Sequence, residues 1–163
     1  MNAKDAIKHS MDLSDMVLKT YVGDLNDAEL MTRPAKGANH LAWQLGHLIS
    51  SEYQLISGVC AGACAELPGG FHEQHAKETA GSDDRTKFLT KQQYLDLFDK
   101  MRRATKVALD NLNDADLDKP GPAHFAKICP TVGTVFNLAA SHPLMHSGQF
   151  ATVRRMLGKP ILI

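Results

Sequence analysis

In HPLMHSGQ, residues 142 to 149, two histidines stand four positions apart with a proline between them. Four residues advance about 6 Å along a helix axis, and side chains at i and i+4 lie over one another. Two imidazole nitrogens on such a face can converge on one divalent ion. The competing explanation is two core histidines, each hydrogen-bonded to a neighbour, because an isolated H-x-x-x-H arises for either reason. A shared ion needs a third ligand. NHLAWQLGHLISSE, residues 39 to 52, offers His47 in another uncharged helical stretch, directly after Gly46, whose missing side chain lets another group approach. His40 lies two turns earlier, about 10 Å along the axis, and is expected at the surface or behind the ligands. His72 and His75 in FHEQH lack the H-E-x-x-H spacing, sit in a loop-like stretch and are expected at most at an entrance. His9 and His124 read as surface residues.

Four segments of helical periodicity would position these groups. The first, about Ala3 to Tyr21, sets Ile7, Met11, Ser14 and Leu18 on one side and charges elsewhere. Asn26 and Glu29 have capping-box spacing for a turn or two, which Pro34 and Gly37 then stop. The second helix is predicted from an Asn39 cap to about Val59. Residues 62–89, rich in Gly and mixed charge, read as a long loop of functional or mobile character. A Thr90 to Gln93 box opens a third helix with the stripe Tyr94, Leu97, Phe98, Met101, Ala104, Val107 and Leu112. The fourth begins near Thr131 or Thr134 and carries both His142 and His146 on the stripe Val135, Leu138, Ala139, His142, His146, Gln149, Val153, Met156. It ends at RRMLGKP, where arginines suit the negative helix terminus and Gly158 caps it. The expected architecture is all-α, one four-helix-bundle domain over residues 1–163, whose long loops permit a connectivity other than up-down-up-down.

Composition narrows the function classes. Eighteen Lys and Arg balance eighteen Asp and Glu, so no basic field exists for a nucleic-acid backbone. The charged N-terminal turns lack the apolar core of a secretory signal, and a cytoplasmic location is expected. Residues 128–153 contain no Asp, Glu, Lys or Arg, but nine polar side chains and Pro143 interrupt them, so they read as a buried helix and no membrane span is expected. Three cysteines, Cys60, Cys64 and Cys129, form no disulfide framework, and the first two read as small buried residues. No histidine follows a glutamate by three positions, which excludes the di-metal carboxylate bundles. Two uncharged helices require cover on most sides, from the bundle or from a second copy, and a homodimer is expected on that ground.

WQLGHL at 43–48 together with HPLMHSGQFATVRRMLGKP at 142–160 resembles the DinB-like (DNA-damage-inducible) superfamily of metal-dependent enzymes. That family carries a histidine on its second helix and H-x-x-x-H-x-G-Q on its fourth, and the likeness spans nearly the whole chain. The resemblance implies a DinB-like four-helix bundle with His47, His142 and His146 as ligands of one divalent metal ion, zinc, nickel or iron. Two features depart from or decorate the pattern. Ser147 stands where many relatives carry histidine or arginine, and Pro143 removes an N–H from the helix and predicts a distortion beside His142.

Three neutral imidazoles leave an ion its full charge and an open position, the mark of chemistry rather than structure alone. Such an ion activates water, or holds a thiol as thiolate. The resemblance implies the same pair of options: a hydrolase, or a transferase using a low-molecular-weight thiol as co-substrate, acting on a small molecule. A non-catalytic metal-binding or oligomeric stress-response protein is the alternative. Catalytic candidates are Glu52, the carboxylate of the second helix, and Gln44 and Gln149, which could orient a ligand. Glu52 could equally be solvated, the glutamines could be edge residues, and Tyr94 is expected in the core with its hydroxyl at the surface.

Overall fold

The computed structural model describes residues 1–163. It contains four long helices, α1 (Ala3–Val22), α2 (Leu41–Ser57), α4 (Lys91–Asn111) and α5 (Val132–Met156), with a single turn α3 (Phe71–Gln74) inside the long connection. There are no strands, so the chain has the all-α architecture its periodicity predicts. No helix is long and apolar enough to cross a membrane.

Helix ends follow local chemistry. Asn2 with Asp5, Thr90 with Gln93 and Thr131 with Thr134 form reciprocal capping boxes, each satisfying free N–H groups of a first turn. Asn26 and Glu29 bond reciprocally as their spacing predicts and open the 3-10 turn Glu29–Met31. The start of α2 differs from expectation. His40, not Asn39, is the cap: its Nδ1 accepts from Trp43 N–H at 3.0 Å, and its Nε2–H donates to Ser82 O at 3.1 Å. Both ring nitrogens are therefore satisfied and the residue is buried rather than at the surface.

Side-chain pairings give the directions of the helices. Lys8 meets Asp110 and Lys19 meets Asp99, so α1 and α4 are antiparallel. Gln44 meets Gln149 while His47 faces His142, so α2 and α5 are antiparallel. Arg154 reaches Tyr21 O and the Asp24 carboxylate, joining the C-terminal ends of α5 and α1. Thus α1 and α5 run one way and α2 and α4 the other. The connection from α2 to α4 must return along the bundle, which is why residues 58–90 are so long. That stretch is not a free loop: Phe71, His75 and Phe88 are buried, anchoring it to the core.

The apolar core forms two clusters, one around Leu45, Phe98 and Phe150, the other around Met11, Leu109 and Phe136. A buried polar layer of Ser14, Asp15, Glu52, Arg102 and Thr105 lies between them along the helices. Arg102 is 2% exposed; its Nε donates to Asp15 at 2.9 Å and its Nη1 lies 3.2 Å from Glu52 and 3.1 Å from Ala139 O. Its Nη2 is a buried donor without a partner. This layer rotates the buried face of α4 away from the periodicity reading: Arg102, Thr105 and Leu109 turn inward and Val107 is exposed. The cause is ionic. Two buried carboxylates require a paired cation, and burying that cation outweighs burying one more valine.

Candidate metal centre

The centre assembles where α2 crosses α5. His47 comes from α2 and His142 and His146 from successive turns of α5, and their candidate ligand nitrogens all lie within 4.8 Å of one another. Nε2 of His142 and Nε2 of His146 are 3.2 Å apart. Neighbouring nitrogens on a tetrahedral zinc-like ion would stand about 3.3 Å apart, given metal–nitrogen bonds of about 2.05 Å. The donor set therefore fits such an ion in kind, and the His142–His146 pair fits it in spacing as well. Burial followed by the neighbouring imidazoles pushes His146 down to about 3 and His142 to about 4, and burial lowers His47 as well. All three rings are neutral at pH 7, the protonation state that coordination requires.

Neighbours orient the rings. Nδ1–H of His146 donates to Gln44 Oε1 at 2.8 Å, which leaves Nε2 with its lone pair toward the cluster. Gln44 is itself held through its amide N–H groups, which donate to Asn39 O at 2.6 Å and Gln149 Oε1 at 3.1 Å. His47 stacks on Trp43 with ring centroids 4.9 Å apart and planes 8° from parallel. Pro143 leaves α5 continuous through Met156, and the carbonyl it deprives of a helical partner, Ala139 O, receives Arg102 instead. Ser147 turns inward and donates to Pro143 O at 2.7 Å.

The other singled-out residues fall in varied places. Glu52 is 3% exposed, accepting from Thr105 Oγ1 at 2.6 Å and paired with Arg102, and burial raises its carboxyl above the usual range. It borders a small void that His142 also touches. Gln149 is exposed and meets the site only through Gln44. His75, expected at most at an entrance, is buried: Nδ1–H donates to Phe71 O at 2.8 Å, and Nε2 accepts from the Tyr94 hydroxyl at 2.8 Å. That ring fills the space beside Gly46, where an added Cβ would lie 2.0 Å from His75 Cδ2. The group that Gly46 admits is thus a histidine from a residue span read as loop. Tyr94 is core as expected, but its hydroxyl is buried in that bond rather than at the surface. His72 faces Ser50 Oγ at 2.6 Å from Nδ1. Cys60 and Cys64 are half-buried and all three cysteines are free thiols.

A cavity of about 580 Å³ opens beside His47 and His142. Ser51 and Leu55 of α2, Leu138 and Met145 of α5, and the 122–128 segment with His124 and Phe125 enclose it. The periodicity of the last two long helices carried no sign of that segment's role, because its placement depends on a contact made after α4 ends. Lys119 O accepts from Val132 N–H, and Pro130 O from Gly121 N–H, at 2.9 and 3.0 Å. A Cβ at Gly121 would meet Cys129 O at 2.3 Å, so glycine is required for that approach.

One imidazole from the second long helix and two from the last, converging at mid-bundle, define a class: all-helical proteins with a three-histidine cluster between antiparallel helices. The chain belongs to the DinB superfamily, which it matches over residues 11 to 150. Members of that superfamily are typically metal-binding. The crystal structure of a conserved protein from Enterococcus faecalis superposes with a TM-score of 0.74 at 20% sequence identity, covering 98% of this chain and 99% of that one. That likeness is one of fold. No curated protein matches the sequence.

Proposed function

We propose that the protein is a metal-dependent enzyme acting on a small molecule, with His47, His142 and His146 holding one divalent ion, zinc, nickel or iron. The observation that carries this reading is the convergence of three neutral ring nitrogens within 4.8 Å beside an open cavity. When bound, the ion supplies Lewis acidity and an open position that activates water for hydrolysis or a thiol for transfer. The chain's own groups prepare that site. Gln44 selects the His146 tautomer, Trp43 supports the plane of His47, and apolar side chains supply most of the cavity wall. Ser51, whose Oγ lies 3.4 Å from His47 Nε2, and His124 are polar side chains of the cavity wall. Glu52 is not assigned a proton-transfer role, since Thr105 and Arg102 already engage its carboxylate.

The outward side of α5 supports a second expectation, self-association. Leu144 and Met145 are 38% and 67% exposed on a helix without charge before Arg154. Sedimentation equilibrium of the parent against Leu144→Lys, a residue outside the cavity lining, tests whether that face pairs two copies.

Elemental mass spectrometry on the untagged protein and on His47→Ala and His142→Ala tests the metal reading. About one ion per chain, lost in both variants, is expected, followed by turnover of ester, amide or thiol-transfer substrates by the loaded parent. Metal binding with stabilisation but no turnover across those classes would favour a non-catalytic metal-binding protein. No metal after incubation with zinc and nickel would overturn both.

A further inference from the structure

The cavity beside the histidines is lined by eleven residues, none of them Asp, Glu, Lys or Arg. Leu55, Pro122, Phe125, Ile128, Leu138 and Met145 supply most of its wall. Its volume, about 580 Å³, lies within the range of small-molecule sites. Its loop wall is pinned rather than draped: besides the two backbone bonds at its base, Phe125 N–H donates to Pro122 O and Cys129 N–H to Phe125 O, at 2.9 and 2.8 Å. Cys129 is fully buried beneath it.

We infer that this cavity binds a neutral, largely apolar molecule that presents one polar head group to the three histidines. The inference rests on the metal reading and adds the substrate class to it. A carboxylate or phosphate on the tail would be desolvated with no lysine or arginine to receive it. A hydrocarbon or aryl tail instead loses only water-exposed apolar surface on entering. Ser51, Gln54 and His124 supply the few polar contacts that fix orientation. An anionic tail on a low-molecular-weight thiol finds no lysine or arginine in this wall, so the cavity favours an uncharged tail.

Isothermal titration of the zinc-loaded protein with linear alkyl hydroxamates, two to eight carbons long, tests this. Kd is expected to fall about three- to fourfold per added methylene until the cavity is filled. A chain of equal length ending in a carboxylate should bind at least about tenfold more weakly than its methyl-ended counterpart. Ile128→Asp, a change at an exposed residue of the cavity wall, should flatten the length dependence of the alkyl series. A second series, the n-alkyl alcohols from pentanol to octanol against chelator-treated protein, asks the same question without metal and should show the same length dependence. Length-independent binding in both series, or equal binding of the carboxylate-ended chain, would overturn the inference. Zinc stoichiometry is read separately, so loss of the metal site with retained alcohol dependence would overturn the metal reading and keep the apolar cavity.

Discussion

The guanidinium of Arg102 donates to the carbonyl of Ala139 at 3.1 Å, the same oxygen that Pro143 leaves without a helical N–H. A buried cation on α4 thus completes the backbone of α5 one turn before the paired histidines, and the same cation neutralises Asp15 and Glu52. Proline at this position is tolerated because its cost is met from a different helix.

Arg102→Met should destabilise the protein by about 3 kcal/mol or more, since it strands two buried carboxylates and one carbonyl. Adding Pro143→Ala to that variant should return about 1 kcal/mol, because alanine restores the missing N–H. Urea unfolding of the four-member cycle measures both values. An Arg102→Met protein as stable as the parent, or a proline change with the same effect in either background, would count against the relationship.

Gly46→Ala forces a methyl group into the His75 imidazole and should cost about 1–3 kcal/mol through overpacking. In a His75→Ala background the same change should cost little or stabilise, as alanine is the better helix former by about 1 kcal/mol. Equal costs in the two backgrounds would mean that His75 does not occupy that space.

Gln44→Leu removes the acceptor that sets the His146 tautomer without removing a ligand. Zinc affinity should fall about 10- to 100-fold while helical content is retained. Competition against a zinc-binding dye reads the affinity, and an unchanged Kd would show that Gln44 does not support the site.

His75 links stability to pH. Burial pushes its pKa from 6.5 down to about 4, so between those values the unfolded chain binds the proton more tightly than the folded one. Its contribution is therefore complete above about pH 6.5 and is lost as pH falls to about 4, by about 3 kcal/mol in total. Asp15 and Glu52, whose carboxyls burial raises, titrate in the opposite sense, so the difference between parent and His75→Phe isolates the histidine. In chelator-treated samples that difference should shrink across this window. Parallel stability curves would show that His75 is not held neutral.

Periodicity and caps carry their information within a few residues, so four long helices, their boxes and the i, i+4 histidine pair were all legible from the chain. The His47 position was legible too, through its uncharged helix and its resemblance to the superfamily pattern. What the sequence could not display was any group whose environment is built from distant segments. Arg102 and Thr105 face inward only because Asp15 and Glu52 arrive from two other helices. Gly46 has room only for His75, which arrives by way of the return connection. The wall at 122–128 exists because Gly121 lets backbone meet backbone at residues 129 and 130.

By itself, then, the sequence determined the helices, their uncharged faces and the imidazoles that one face can present, because these depend on spacing along a single helix. The tertiary structure alone decided that α2 runs antiparallel to α5, so that His47 meets His142 and His146, and that an uncharged cavity opens beside them. Such relations depend on which surfaces bury one another, and burial is a property of packed helices that no local pattern encodes.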